Sequence, residues 1–205
     1  MPARLGRLLL IGLLTLATSA LALDRAALLD EANILLFPQP RPLPTVELLT
    51  QDAEPWRTDA LRGRWHLLFF GFTSCPDICP TTLADMRRLL AELPPEQRAN
   101  VQLVLVTADP VRDSPAQLKD YLSYYRAGFQ GLTGDLTQLQ SLSRALGLPF
   151  VPAAQTSGAY SVSHSANIAL VGPDGRLHGH LRAPLKLDAL RRALAQIMAS
   201  ESATQ

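Results

Sequence analysis

The stretch WHLLFFGF, Trp65 to Phe72, is a nearly unbroken apolar run. A strand with one face in water alternates apolar and polar side chains, so a continuous run fits a strand covered on both faces. VQLVLV, Val101 to Val106, reads as a second such strand. Between them, Pro80 to Glu92 reads as a helix with Leu83, Met86 and Leu90 on one stripe, stopped ahead of Pro94 and Pro95. Ser114 caps a helix with Pro115 at its first position and Gly128 at its end; Asp135 starts another that closes at Gly147. Ser161 to Val171 and Arg176 to Arg182 read as strands joined through the turn residues Gly172, Pro173, Asp174 and Gly175. A last helix carries Leu187, Leu190, Leu194 and Ile197 on one face. Alternating strands and helices, then a hairpin and a final helix, predict an α/β domain: a mixed central sheet with helices on both faces.

The first residues bear on the compartment. Arg4 and Arg7 precede an uncharged, mostly apolar stretch from Leu8 to Leu23 that holds the triplet Ala20, Leu21, Ala22 and then meets Asp24 and Arg25. This predicts a signal peptide over residues 1–22, with an N-terminal anchor as the alternative, although the run is short of the roughly 20 residues a spanning helix needs. Residues 23–44 read as a lead-in followed by a proline-rich linker, FPQPRPLP, ahead of one domain over 45–199 and a disordered tail over 200–205. Without residues 1–22, 17 basic and 18 acidic residues leave a net charge of −1, which does not suit nucleic acid. The length and the 47% of hydrophobic residues allow one sizeable core, so the two cysteines are not needed as a staple.

Those cysteines, Cys75 and Cys79, lie in TSCPDICPTT directly after the first buried strand, and each precedes a proline. In α/β folds, loops after strand C-termini gather ligands and chemistry. A proline pushes its predecessor out of helical geometry, so the pair is expected in a turn, with Cys79 near the cap and Pro80 at the first helical position. Unpaired N–H groups and the helix dipole there favour thiolate, which serves both redox chemistry and metal binding. Three intervening residues give a reach suited to two thiolates on one metal, where a disulfide wants Cβ atoms about 4 Å apart. Export would let a disulfide persist, so the redox reading stays open beside the metal reading and beside a pair of buried small hydrophobes.

Two soft thiolates select Cu(I) or zinc, and a further ligand has to come from elsewhere. His66 opens a buried strand and reads as structural. His178 and His180 share a strand face with Arg182, whose cation opposes metal binding, so they read as solvent-facing. His164, in YSVSHSANIALV, suits a loop histidine as well as a ligand, and Met86 and Met198 fall on core stripes.

FGFTSCPDICPTTL, TADPVRDSPAQLKDY, the LTG at Leu132 to Gly134 and YSVSHSANIALVGPDGRL together resemble the Sco/SenC family in order and spacing. The resemblance spans about Pro42 to Met198 and implies a thioredoxin-like fold and a copper-binding protein that helps assemble the binuclear copper centre of cytochrome c oxidase. It implies Cys75, Cys79 and His164 as copper ligands, with Cu(I) favoured and Cu(II) as the other state. Asp109, Arg112 and Asp113 match the family's DPxRD segment, expected as a structural and partner-facing loop or as helix capping with a surface ion pair. One departure is Ser163, where the family usually has an acid that would orient the imidazole or adjust the site's charge.

The resemblance implies a metallochaperone facing the periplasm. Its partners would be the copper-accepting subunit of the oxidase and other copper chaperones, and it would meet a membrane only through an N-terminal anchor. The rival is a thiol–disulfide oxidoreductase that reduces the acceptor's cysteines, with Cys75 and Cys79 as its redox-active residues. A third reading is a redox or copper sensor that acts on a membrane partner. If the Ala20–Ala22 triplet is cut, the exported protein begins at Leu23, which intact mass measurement would show; retention of Met1 with partition into membranes would establish the anchor.

Overall fold

The computed structural model describes residues 26–152 and 161–202, so the leader over 1–22 lies outside the described residues. After a helical stretch at 26–31 come the strands β1 (Ile34–Arg41), β2 (Glu47–Thr50), β3 (Pro55–Arg57), β4 (Trp65–Gly71), β5 (Val101–Thr107), β6 (Gln130–Thr133), β7 (Phe150–Val151), β8 (Ser163–His164), β9 (Ile168–Val171) and β10 (Leu177–Leu181). The helices are α1 (Ile78–Ala91), α2 (Pro95–Ala99), α3 (Pro115–Ser123), α4 (Leu136–Ala145) and α5 (Leu187–Ser202).

Eight strands form one mixed sheet in the order β1-β10-β9-β4-β5-β6-β2-β3, and β7 and β8 form a separate ribbon. All seven residues of β4 are buried. Its neighbours are β5, paired in parallel from Trp65 opposite Val101 to Gly71 opposite Thr107, and β9, paired antiparallel. Burial on both faces means that both faces of the sheet are covered, as the unbroken apolar run requires. Phe69, Phe70 and Phe72 are at most 1% exposed, and truncating such a ring to alanine typically costs about 3–5 kcal/mol. α1 and α5 pack on one another, and α3 packs on β6.

Several elements differ from the sequence reading. The proline-rich stretch is extended as expected but is no linker: Ile34–Arg41 is the edge strand, with Leu35 opposite His180 and Leu36 opposite Gly179. Pro38 and Pro40 fit there because the register breaks between Leu36 and Arg41, and an edge strand needs fewer N–H donors. Gly179 makes the pairing possible, since a Cβ would lie 2.1 Å from the Leu35 carbonyl oxygen. The helix after Ser114 stops at Ser123, short of Gly128, and leaves room for β6. The last helix runs on to Ser202, into the stretch read as tail. Ser161 to Val171 is not one strand: it breaks after His164, so β8 pairs with β7 while β9 enters the sheet.

Three of the four histidines serve the fold. His66 is 2% exposed, with Nδ1 3.1 Å from the Arg64 carbonyl oxygen. His178 and His180 are half-buried and not on an open face: the former meets Asp174 at 3.0 Å and the Trp65 ring edge-on. His180 Nε2 donates to the Leu146 carbonyl oxygen at 2.7 Å and packs edge-on against Phe37.

Burial, helped by the Arg64 charge, holds the pKa of His66 at about 4 where its ordinary value is 6.5. The unfolded chain therefore binds a proton in this window that the folded protein refuses. Stability is complete above pH 6.5 and falls as pH drops towards 4, by up to roughly 3 kcal/mol from this residue. Urea denaturation at pH 7 and pH 4.5 should show a smaller difference for His66→Gln than for the parent protein.

Candidate metal centre

The centre stands where β4 gives way to α1. After Phe72 the chain turns, with the Cys75 N–H bonded to the Phe72 carbonyl oxygen at 3.2 Å, and α1 begins at Ile78 behind the cap residue Asp77. Cys79 is therefore the second helical residue, not the cap, and Pro80 the third. A proline inside the first turn loses nothing, because those N–H groups lack helical partners in any case. This overrides the extended preference of the residue that precedes it.

The Cys79 sulfur points back onto the sheet. A Cβ at Gly71 would lie 2.8 Å from Cys79 Sγ and 3.1 Å from both Leu105 Cδ1 and Phe69 Cε1, so the glycine in FFGF leaves the place the sulfur occupies. Cys79 is fully buried and Cys75 half-buried, and neither is in a disulfide. The thiolate expected from the helix terminus is opposed at Cys79 by burial. Burial pushes its pKa well above the ordinary value, against a lowering hydrogen bond from the Phe72 backbone. A helix terminus supplies at most about 2 kcal/mol, whereas desolvation of a buried ion shifts a pKa by several units.

His164 comes from the opposite side. β8 pairs Phe150 with His164, and the Ser165 N–H donates to the Pro149 carbonyl oxygen at 3.2 Å. The imidazole stands edge-on to Phe69 and Phe72, with ring centroids at 5.7 and 5.8 Å. Its Nδ1 is 3.0 Å from the Ser165 carbonyl oxygen, which can only accept, so the proton sits on Nδ1. Nε2 then presents a lone pair to Cys79 Sγ at 3.4 Å, and the thiol donates to it. Burial lowers the His164 pKa and keeps the ring neutral, against the Ser165 hydrogen bond. The orienting role expected of an acid at position 163 thus falls to the Ser165 carbonyl.

The donor atoms of Cys75, Cys79 and His164 all lie within 4.8 Å of one another, the one such cluster among the described residues. Two sulfurs and a neutral imidazole nitrogen make a soft, three-donor set. The residues tie the cysteine loop to β5 through the DPxRD segment. Asp113 is fully buried and accepts from Thr73 Oγ1 and Thr107 Oγ1, each at 2.6 Å, and from the Thr73 N–H at 3.1 Å. Burial raises its pKa while these hydrogen bonds oppose the rise. Asp113 is therefore no helix cap; Ser114 is, in a capping box with Gln117. Asp109 is buried too and pairs with Arg112, whose guanidinium lies 5.5 Å over the Phe72 ring that borders His164. Sequence reasoning named this segment but not its partners Thr73 and Thr107, nor Gly71 and Ser165; only the glycine between two phenylalanines at the end of a buried strand gave a hint.

A mixed α/β sheet with two cysteines around the start of α1, met by a histidine from β8, defines a thioredoxin-like domain with a donor set that could hold a soft metal. The SCO1/SenC family profile matches residues 43–199, and the chain belongs to that family. It is 64% identical over 197 residues to a Stutzerimonas stutzeri protein whose name describes it as copper-binding, covering 96% of this chain and 97% of that one. Yeast Sco1 with copper bound superposes with a TM-score of 0.70 at 27% identity, over 81% of this chain and 96% of that one. BsSco, described as a member of the Sco family of cytochrome c oxidase assembly proteins, shares the fold with a TM-score of 0.61 at 22% identity, over 78% and 96% of the two chains.

Asp113→Asn keeps the volume but replaces one accepting oxygen by an NH2 group, so a threonine loses its acceptor and the cysteine loop its tie. Cu(I) affinity, read by competition with a chromophoric chelator, should fall about 10-fold or more, as for other groups that orient metal ligands. Unchanged affinity would remove Asp113 from the centre's support.

Proposed function

We propose that the chain is an exported copper carrier that binds Cu(I) through Cys75, Cys79 and His164 and passes it to the copper-accepting subunit of cytochrome c oxidase. The observation that carries this reading is the convergence of three soft donor atoms within 4.8 Å, with the His164 proton held on the far nitrogen. The copper-bound relatives and the oxidase-assembly description of the wider Sco family support it.

Binding requires both thiols to lose their protons, which leave for solvent as the sulfurs take the metal. The half-buried Cys75 and His164 face the loop side, whereas Cys79 is sealed against Gly71. An acceptor's thiolates would therefore displace Cys75 first and Cys79 last. Ile78, at the start of α1 beside Cys79, and Val111, on the loop that carries Asp113, are 40% and 64% exposed, and an apolar rim of this kind suits docking of a protein acceptor.

The thiol–disulfide reading has its own support in two free sulfurs within bonding range after a small movement. Burial raises the Cys79 pKa and so disfavours the thiolate that both readings need, which leaves the choice between them to the histidine. His164→Ala separates the two. A copper carrier should lose at least about 100-fold in Cu(I) affinity, or ~2.7 kcal/mol, together with oxidase assembly when copper is scarce. A reductase should keep reducing an acceptor disulfide and support assembly at normal levels. Normal assembly by an equally abundant His164→Ala protein would overturn the carrier reading.

A further inference from the structure

At the other end of the sheet a cavity of about 490 Å³ is lined by four arginines, Arg64, Arg87, Arg98 and Arg126, and by no acidic residue. Arg64 precedes β4, Arg126 precedes β6, Arg87 is in α1 and Arg98 in α2. All four are exposed, and among the described residues none is in an ion pair with a carboxylate. Between the arginines the walls are mixed: Gln102 lines the cavity beside the apolar Leu90, Val101, Leu103 and Phe129, which are at most 8% exposed.

Helix ends account for only part of this. Arg98 lies in the last turn of α2 and Arg87 near the end of α1, where cations complement the dipole. Arg64 and Arg126 belong to no helix, and Arg126 holds a left-handed backbone, φ 48°, uncommon for a residue with a side chain. A chain whose basic and acidic residues nearly balance, 19 against 18, thus gathers at one cavity four guanidinium groups that have no carboxylate partner among the described residues. Their mutual repulsion is relieved by an anion, and the planar guanidinium matches phosphate or carboxylate oxygens in bidentate fashion. The volume falls in the range of small-molecule sites, roughly 300–1,000 Å³.

We propose that this cavity binds a phosphate-bearing amphiphile, its anionic head among the four arginines and its apolar part against Leu90, Val101 and Phe129. The site lies at the N-terminal ends of β4 and β5, whereas the sulfurs lie beyond the C-terminal end of β4. The seven-residue length of that strand separates them by roughly 20 Å. The two sites can therefore be filled together, and an occupant here leaves the cysteine loop open to a partner.

The test is a calorimetric titration of the purified protein with inorganic phosphate, with soluble dihexanoylphosphatidylglycerol, and with its zwitterionic choline counterpart. We expect one site per chain for the phosphatidylglycerol, weaker binding of inorganic phosphate that competes with it, and much weaker binding of the choline lipid. The double variant Arg87→Gln, Arg126→Gln should weaken the phosphatidylglycerol at least about 10-fold, while Cu(I) affinity and the far-UV spectrum stay unchanged. Co-sedimentation with phosphatidylglycerol vesicles, lost in the double variant, would assign the source to a membrane; a protein that stays off vesicles yet binds both soluble anions would assign it to a free phosphate compound. Absence of binding by both anions, or binding that the double variant leaves intact, would overturn the proposal.

Discussion

The contact between the Cys79 sulfur and the bare backbone of Gly71 is the junction on which the centre rests. A strand buried on both faces cannot shift, because every side chain along β4 is wedged between two covered layers. A sulfur packed against its last residue inherits that rigidity. The same burial that fixes the sulfur raises the pKa of its thiol.

Rigidity on one side is matched by buried charge on the other. The Asp113 carboxylate gathers the Thr73 backbone and the Thr73 and Thr107 hydroxyls, joining the ends of β4 and β5 just before the cysteine loop opens. A buried carboxylate is costly unless its oxygens are satisfied, and here three donors satisfy them. The cysteine loop is held between these two anchors. His164 arrives independently on a two-residue ribbon, its ring held by two aromatic edges and one carbonyl.

Much of the architecture was legible because β4, β5, α1 and α5 are long and strongly periodic, so their patterns outweigh local accidents. The short strands β2, β3 and β6 span four residues or fewer, too few for a period to stand out. The edge strand β1 was hidden by its prolines, which read as a linker until a partner strand with a glycine at the crossing point came beside them. The upward shift of the Cys79 pKa was hidden for a related reason: the helix terminus is visible in sequence, and the depth of burial is not.

The sequence by itself determined the buried central strand, the position of two cysteines just beyond it and, through the combined motifs, the family. Those are local or cumulative properties, carried by residue type and spacing along the chain. Tertiary structure alone decided that His164 faces Cys79 across 85 positions, that Ser165 fixes its tautomer, that Asp113 supports the loop from β5, and that four arginines from four segments meet at one cavity. Each depends on how separate elements approach one another, and that is set by the packing of the whole core.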